Sequence, residues 1–177
     1  MPVPETGSGT FVVAPAPARP VATATTYQVE IEKELLLDAT QVADFVENTL
    51  SDPRGWSSAH PLSRVEREAD LRILIATPDT TDLLCAPLDT GGRLSCRNGS
   101  NIVLNGWRWQ HGADTFTDDL TGYRRYLINH ETGHALGYAH ATCPEQGAPA
   151  PVMLQQTKGL SGCRPNPWPS RVELFHD

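Results

Sequence analysis

From Thr26 the chain alternates, with Tyr27, Val29 and Ile31 apolar and Gln28, Glu30 and Glu32 between them. Period two over such a length predicts a strand with one buried face. Asp38 with Gln41 three residues on resembles a capping box, and Val42, Phe45, Val46 and Leu50 follow at helical spacing. Asp52-Pro53-Arg54-Gly55 then ends that helix in a turn. The next strands are expected around Val65 and over Leu71–Ala76, a short run broken only by Arg72 that reads as buried. A short helix near 78–84 leads into a segment between Cys85 and Cys96, where Gly91-Gly92 points to a hairpin-like loop. Asn101–Asn105 is another strand candidate. Trp107 and Trp109 straddle Arg108, so in an extended segment they share one side, where they line a cleft or, as is commoner for aromatic pairs, join the core. From Asp118 to Leu136 the pattern turns helical, with Thr117 as the expected N-cap and Asp118 and Asp119 at the positive end of the dipole. After Gly137 the chain is rich in Pro, Gly and Cys without a period, which predicts an irregular lobe. Strands, then one long helix, then an irregular tail make an α+β order.

Residues 1–24 hold few large apolar side chains and much Pro, Ala and Thr, as in Ala14-Pro15-Ala16-Pro17-Ala18-Arg19-Pro20. That composition favours extended backbone and predicts a linker or tether, within which Phe11-Val12-Val13 is long enough to dock as a strand. Residues 25–177 form the expected domain, with an N-terminal lobe over about 25–137 and a C-terminal lobe over about 138–177.

Composition narrows the partners. The 177 residues carry a net charge of −7, which argues against nucleic acid or an anionic membrane, since both reward clustered Lys and Arg. No stretch approaches the roughly 18 apolar residues of a membrane span. Met1 is followed by Pro, Glu, Gly and Ser rather than by a basic and then an apolar region, so the expectation is a cytosolic protein or the mature part of an exported one. The four cysteines favour export and an extracellular location. Their local grouping suits disulfides 85–96 and 143–163, although three connectivities are open.

The segment that carries chemistry is His130-Glu131-Thr132-Gly133-His134-Ala135-Leu136-Gly137-Tyr138-Ala139-His140. Histidines at i and i+4 lie on one helix face a turn apart, so both imidazoles can reach one cation. Glu131, beside the first of them, is placed to act on a water as general base without being a ligand. A continuing helix would turn His140 away, so the chain must bend, and Gly137 is the residue able to take a left-handed conformation there. The remaining histidines, His60, His111 and His176, read as ordinary surface or core residues.

His-Glu-x-x-His-x-x-Gly-x-x-His followed by a methionine resembles the metzincin clan of zinc endopeptidases. The resemblance is firm over roughly 118–156. It implies a zincin-like α+β domain: a mixed twisted sheet, an active-site helix and a small irregular C-terminal lobe. It implies one catalytic Zn2+ on His130, His134 and His140, Glu131 as the base, and a peptide or protein substrate. It also makes Met153 the apolar floor beneath the imidazoles, where a bland reading makes it a core filler. The position two residues after that methionine, a tyrosine in some metzincins, is Gln155 here, so its role falls vacant or passes to Gln155, Tyr126 or Tyr138. The wider chain, including Asp52-Pro53-Arg54-Gly55-Trp56 and Asn166-Pro167-Trp168-Pro169, is similar to a family of uncharacterised bacterial exported domains with the same motif.

Two other functions compete with a peptidase. Cys143 lies three residues after His140 and would close a four-ligand structural zinc site that needs no Glu131. A zinc hydrolase of a non-peptide amide, such as one in the cell wall, uses the same ligands. For a peptidase, the free edge of strand 101–105 is the expected seat of an extended substrate. No cysteine precedes Cys85, so no thiol from the first 25 residues can block the metal.

Overall fold

The computed structural model describes residues 2–17 and 20–175. His176, read above as an ordinary histidine, lies outside them, as do Ala18 and Arg19 of the expected tether. Three parallel strands form the centre of a mixed, twisted sheet: β2 (Thr25–Glu32), β4 (Leu71–Ala76) and β6 (Asn101–Asn105). The order is β1-β2-β4-β6-β5, with β1 (Phe11–Val13) and β5 (Cys96–Asn98) as antiparallel edges. A short β3 (Leu62–Arg64) runs parallel to the first half of β2. Strand 101–105 therefore has no free edge: it is paired on one side with β4 and on the other with β5.

The near-continuous apolar run of β4 follows from burial on both faces. Ile73 and Ile75 pack with Val29, Ile31, Ile102 and Leu104 into the main core, against α1 (Ala39–Leu50) and α4 (Leu120–Ala135). Leu74 and Ala76 point the other way and meet Val103 and the Cys85–Cys96 disulfide, which ties α2 (Pro78–Cys85) to β5. Period two thus assigns one helix layer to each face. The start of α1 is as expected, with Asp38 accepting from the Gln41 amide at 2.9 Å. Trp107 and Trp109 do not lie in an extended segment. Asn105 accepts from the Trp107 amide and starts α3 (Gly106–His111), a one-and-a-half-turn helix. Trp109 turns into the core, while Trp107 stacks on His111 near the surface.

The segment expected as a tether is laid against the domain over residues 2–17. The docking strand expected at Phe11-Val12-Val13 is β1: it pairs with Glu30–Glu32, Phe11 packs against the Leu74 and Val103 cluster, and the Ala14 amide donates to Val29 O at 2.9 Å. Arg93 holds Glu5 at 2.8 Å. The anchor is Glu32, fully buried, whose carboxylate accepts from the Gly9 amide at 2.8 Å, the Thr77 amide at 2.7 Å and the Thr80 hydroxyl at 2.7 Å. One acid thereby caps α2 and fastens the N-terminal segment. Glu32→Ala strands the Thr77 amide in the interior and should cost about 3 kcal/mol by chemical denaturation. Hydrogen exchange should show residues 2–14 losing protection first; unchanged protection there would contradict the anchoring role.

Candidate metal centre

Helix α4 is the element on which the site is built. It begins later than expected: Asp119, not Thr117, is the N-cap, accepting from the Gly122 amide at 2.7 Å. Asp118 takes a positive φ of 59° just before it, which breaks any earlier helical turn. The helix is buried from Tyr126 to Gly133. Gly133 is required by packing, since a Cβ there would strike the Met153 sulfur and stand 2.8 Å from Trp56 Cζ2. The end is a Schellman turn: Tyr138 N–H bonds Gly133 O at 2.9 Å, Gly137 N–H bonds His134 O at 3.1 Å, and Gly137 has φ 98°. The bend expected at Gly137 is present, and it carries His140 back toward the helix.

His130, His134 and His140 offer ring nitrogens that all lie within 4.8 Å of one another, a spacing that could hold a metal ion. Two rings are fixed by carbonyls. His130 Nδ1 faces Val152 O at 2.8 Å and His134 Nδ1 faces Tyr138 O at 2.9 Å, and a carbonyl only accepts, so each Nδ1 carries the hydrogen. Their Nε2 lone pairs are left for a cation, and His134 Nε2 and His140 Nε2 approach to 3.0 Å. Burial pushes His130 down to about 3, opposed by the Val152 bond and helped by the other two histidines. Burial also lowers His134 and His140, with Arg97 acting on the first, and His134 and Lys158 on the second. Three neutral imidazoles are a donor set suited to zinc and to other borderline cations. Glu131 is 6% exposed beside them, and burial alone raises its carboxyl to about 8.

All four groups line a cleft of about 510 Å³. One wall is the loop and edge strand from Leu94 to Arg97, and the other is the turn carrying Gln155, Thr157 and Lys158. The second wall is held by residues that spacing did not single out. Glu173 of α5 (Arg171–Phe175) accepts from Val152 N at 3.1 Å and Met153 N at 2.7 Å, pinning the methionine turn. Buried Gln156 exchanges bonds with the backbone of Asn166, at 2.8 Å and 3.0 Å. Asn129 accepts from Trp56 Nε1 through its carbonyl and donates to Pro167 O, while Arg54 lies 4.2 Å over the Trp168 ring. The two Pro-containing segments noted in the sequence thus meet behind α4 as a buttress. Met153 is fully buried with its sulfur against Gly133, which lies between His130 and His134 in the helix.

Of the three candidates for the vacant tyrosine role, two hydroxyls are engaged elsewhere. Tyr126 donates to Leu154 O and accepts from the Gln156 amide. Tyr138 pairs with His60 Nε2 at 2.8 Å, its ring 4.5 Å from Trp56. Gln155 lines the cleft half-buried, and its carboxamide has no hydrogen-bond partner among the described residues. Cys143 is bonded to Cys163, so it is not a thiolate and closes no four-ligand site. His60 and His111 stand outside the trio, the latter stacked on Trp107 with Nδ1 donating to Trp107 O.

Fold and site together define an α+β domain with a cleft built on three convergent histidines and a buried glutamic acid. Residues 1–170 match the model of a family described as a protein of unknown function (DUF3152), and the chain belongs to that family.

The site sets the pH response of metal-free protein. Glu131 sits at about 8 when folded against 4.5 unfolded, so the folded state holds an extra proton between those values. Stability therefore rises as pH falls through 8, and this gain is complete below 4.5. The histidines act oppositely: His130 sits at about 3 against 6.5, so its contribution is full above 6.5 and fades as pH falls toward 3. Melts of chelated protein should pass through a maximum near pH 6.5, and Glu131→Gln should abolish the rise between 8.5 and 6.5. A melting temperature climbing steadily from pH 5 to 8.5 in both proteins would contradict this balance.

Proposed function

We propose that the chain is a zinc-dependent endopeptidase of metzincin type that works outside the cytoplasm. The observation that carries the reading is the convergence of three neutral imidazoles, two of them oriented by carbonyls, with a buried carboxyl on the floor of an open cleft. A structural zinc site would close its fourth position with protein, and the disulfide at Cys143 argues against that alternative. Two disulfides suit an oxidising compartment, and no helix among the described residues is long and apolar enough to cross a membrane.

His130, His134 and His140 would hold a zinc ion, which would supply Lewis-acid chemistry toward the scissile carbonyl and a water and would favour the carboxylate form of Glu131. Glu131 then takes the water's proton and delivers it to the departing amine. The substrate backbone is held by pairing with the outer edge of β5, which borders the cleft and has no neighbour strand among the described residues. Gln155 offers its carboxamide N–H to the carbonyl oxygen as charge develops there.

Glu131→Ala should lower hydrolysis of a peptide library by at least about 10³-fold while the protein still carries about one zinc per chain. His134→Ala should lose both. Proteolysis unchanged by Glu131→Ala ends the peptidase reading, and hydrolysis of cell-wall fragments alone moves the activity to a non-peptide amide. Gln155→Ala should lower kcat by about 100-fold with KM little changed, and a KM effect alone would make Gln155 a binding residue only.

A further inference from the structure

The charge of the cleft is at odds with the charge of the protein. The chain carries 21 acidic against 14 basic residues, yet the cleft walls bring Arg97 and Lys158 to the histidines from opposite sides. Arg97 belongs to β5. Its neighbours Cys96 and Asn98 turn to α2, through the disulfide and through bonds to Leu84 O and Ala86 O. Alternation then puts Arg97 on the α4 face, over the histidines. Lys158 comes from the other wall, in the turn closed by its amide on Gln155 O at 3.0 Å. Both side chains are exposed, and among the described residues neither is in an ion pair, whereas Arg54, Arg64, Arg72 and Arg93 are each matched to an acid. Both are close enough to act on the site electrostatically, Arg97 on His134 and Lys158 on His140. Against them the cleft offers Asp89, which already accepts from the Gly91 amide, and the buried Glu131.

We infer that the cleft selects peptides bearing carboxylates on both sides of the bond over the histidines, one met by Arg97 and the other by Lys158. The inference deepens the peptidase reading and rests on it for the word peptide; carboxylate preference itself does not require turnover. An extended chain on the β5 edge passes Arg97 before it crosses the histidines and Lys158 after, or the reverse, so the two cations serve different substrate residues. The ligand chemistry is a carboxylate, whether from Asp and Glu side chains or from a chain terminus. Each solvent-exposed pair is worth up to about five-fold in affinity, which sets the scale of the effect.

The test is equilibrium binding to zinc-loaded Glu131→Ala protein, read by fluorescence anisotropy. The probes are labelled hexapeptides identical except for Glu, Gln or Lys on both sides of the central bond, each made with a free and an amidated C-terminus. The Glu peptide should bind about tenfold more tightly than the Gln peptide and more tightly still than the Lys peptide. A Glu-over-Gln preference in the amidated peptides assigns the carboxylates to side chains, whereas tighter binding of free than of amidated peptides with no Glu-over-Gln preference assigns recognition to the chain end and overturns the two-sided inference. Arg97→Gln and Lys158→Gln should each remove about half of the discrimination in logarithmic terms, and Arg97→Glu with Lys158→Glu should invert it. Equal affinity for all three peptides, or preference for Lys, overturns the inference. Glu-selective binding with no cleavage by the wild-type protein would instead defeat the peptidase reading and leave the carboxylate selectivity standing.

Discussion

The bond from His130 Nδ1 to Val152 O is the contact on which the rest of the site depends. It joins α4 to a turn 22 residues further on, and both partners are buried. A neutral imidazole has one donor, and committing it to a carbonyl fixes both the ring plane and the tautomer. The lone pair on the other nitrogen is then aimed by the protein rather than by whatever it binds. The carbonyl must itself be immobile, which is why Glu173 grips the amides of Val152 and Met153 from α5. His134 uses the same device locally, with a carbonyl that the Schellman turn delivers from Tyr138.

The sheet supplies the frame for that bond. Its two faces are sealed by different helices, so α4 is trapped between β4–β6 and the C-terminal segment and has no freedom to rotate. The disulfides then brace the two cleft walls separately: 85–96 fixes the edge strand, and 143–163 fixes the irregular segment around the methionine turn. Walls built without a regular backbone ladder need such staples, because few of their own groups bury enough surface to hold a shape.

Much of this was legible in the chain wherever a rule is local. The Asp38 cap, the histidine spacing, the bend at Gly137 and both disulfide pairs depend on residues within about 20 positions of one another. Tertiary links were not legible. Glu173 holds the amides of Val152 and Met153, and Gln156 that of Asn166, yet no pairing rule marks a lone Glu or Gln for such a task. Strand pairing was similarly hidden: β5 is three residues long and its partner β6 looked free, so the open edge was assigned one strand too far inward. In the N-terminal segment the Phe11-Val12-Val13 run marked the docking strand β1, whereas the remaining contacts are backbone and polar bonds that leave no apolar signature. Asn105 could have been read as an N-cap, but the tandem tryptophans suggested an extended strand instead.

The metal-free site is a deliberate electrostatic compromise. Burial drives the carboxyl of Glu131 toward its protonated form and the three histidines toward their neutral forms, so the interior avoids unpaired charge at neutral pH. That arrangement brings the Nε2 atoms of His134 and His140 to 3.0 Å of each other and leaves Glu131 mostly protonated at neutral pH. On the proposed reading a dication would engage the three imidazoles and favour the carboxylate form of Glu131. The same burial that makes the empty arrangement tolerable is what would make the loaded one reactive, because charges in a dry site interact more strongly than in water. The cost falls on stability, and the disulfides, the Glu173 clamp and the Trp56–Asn129 bond surround the site closely enough to absorb it.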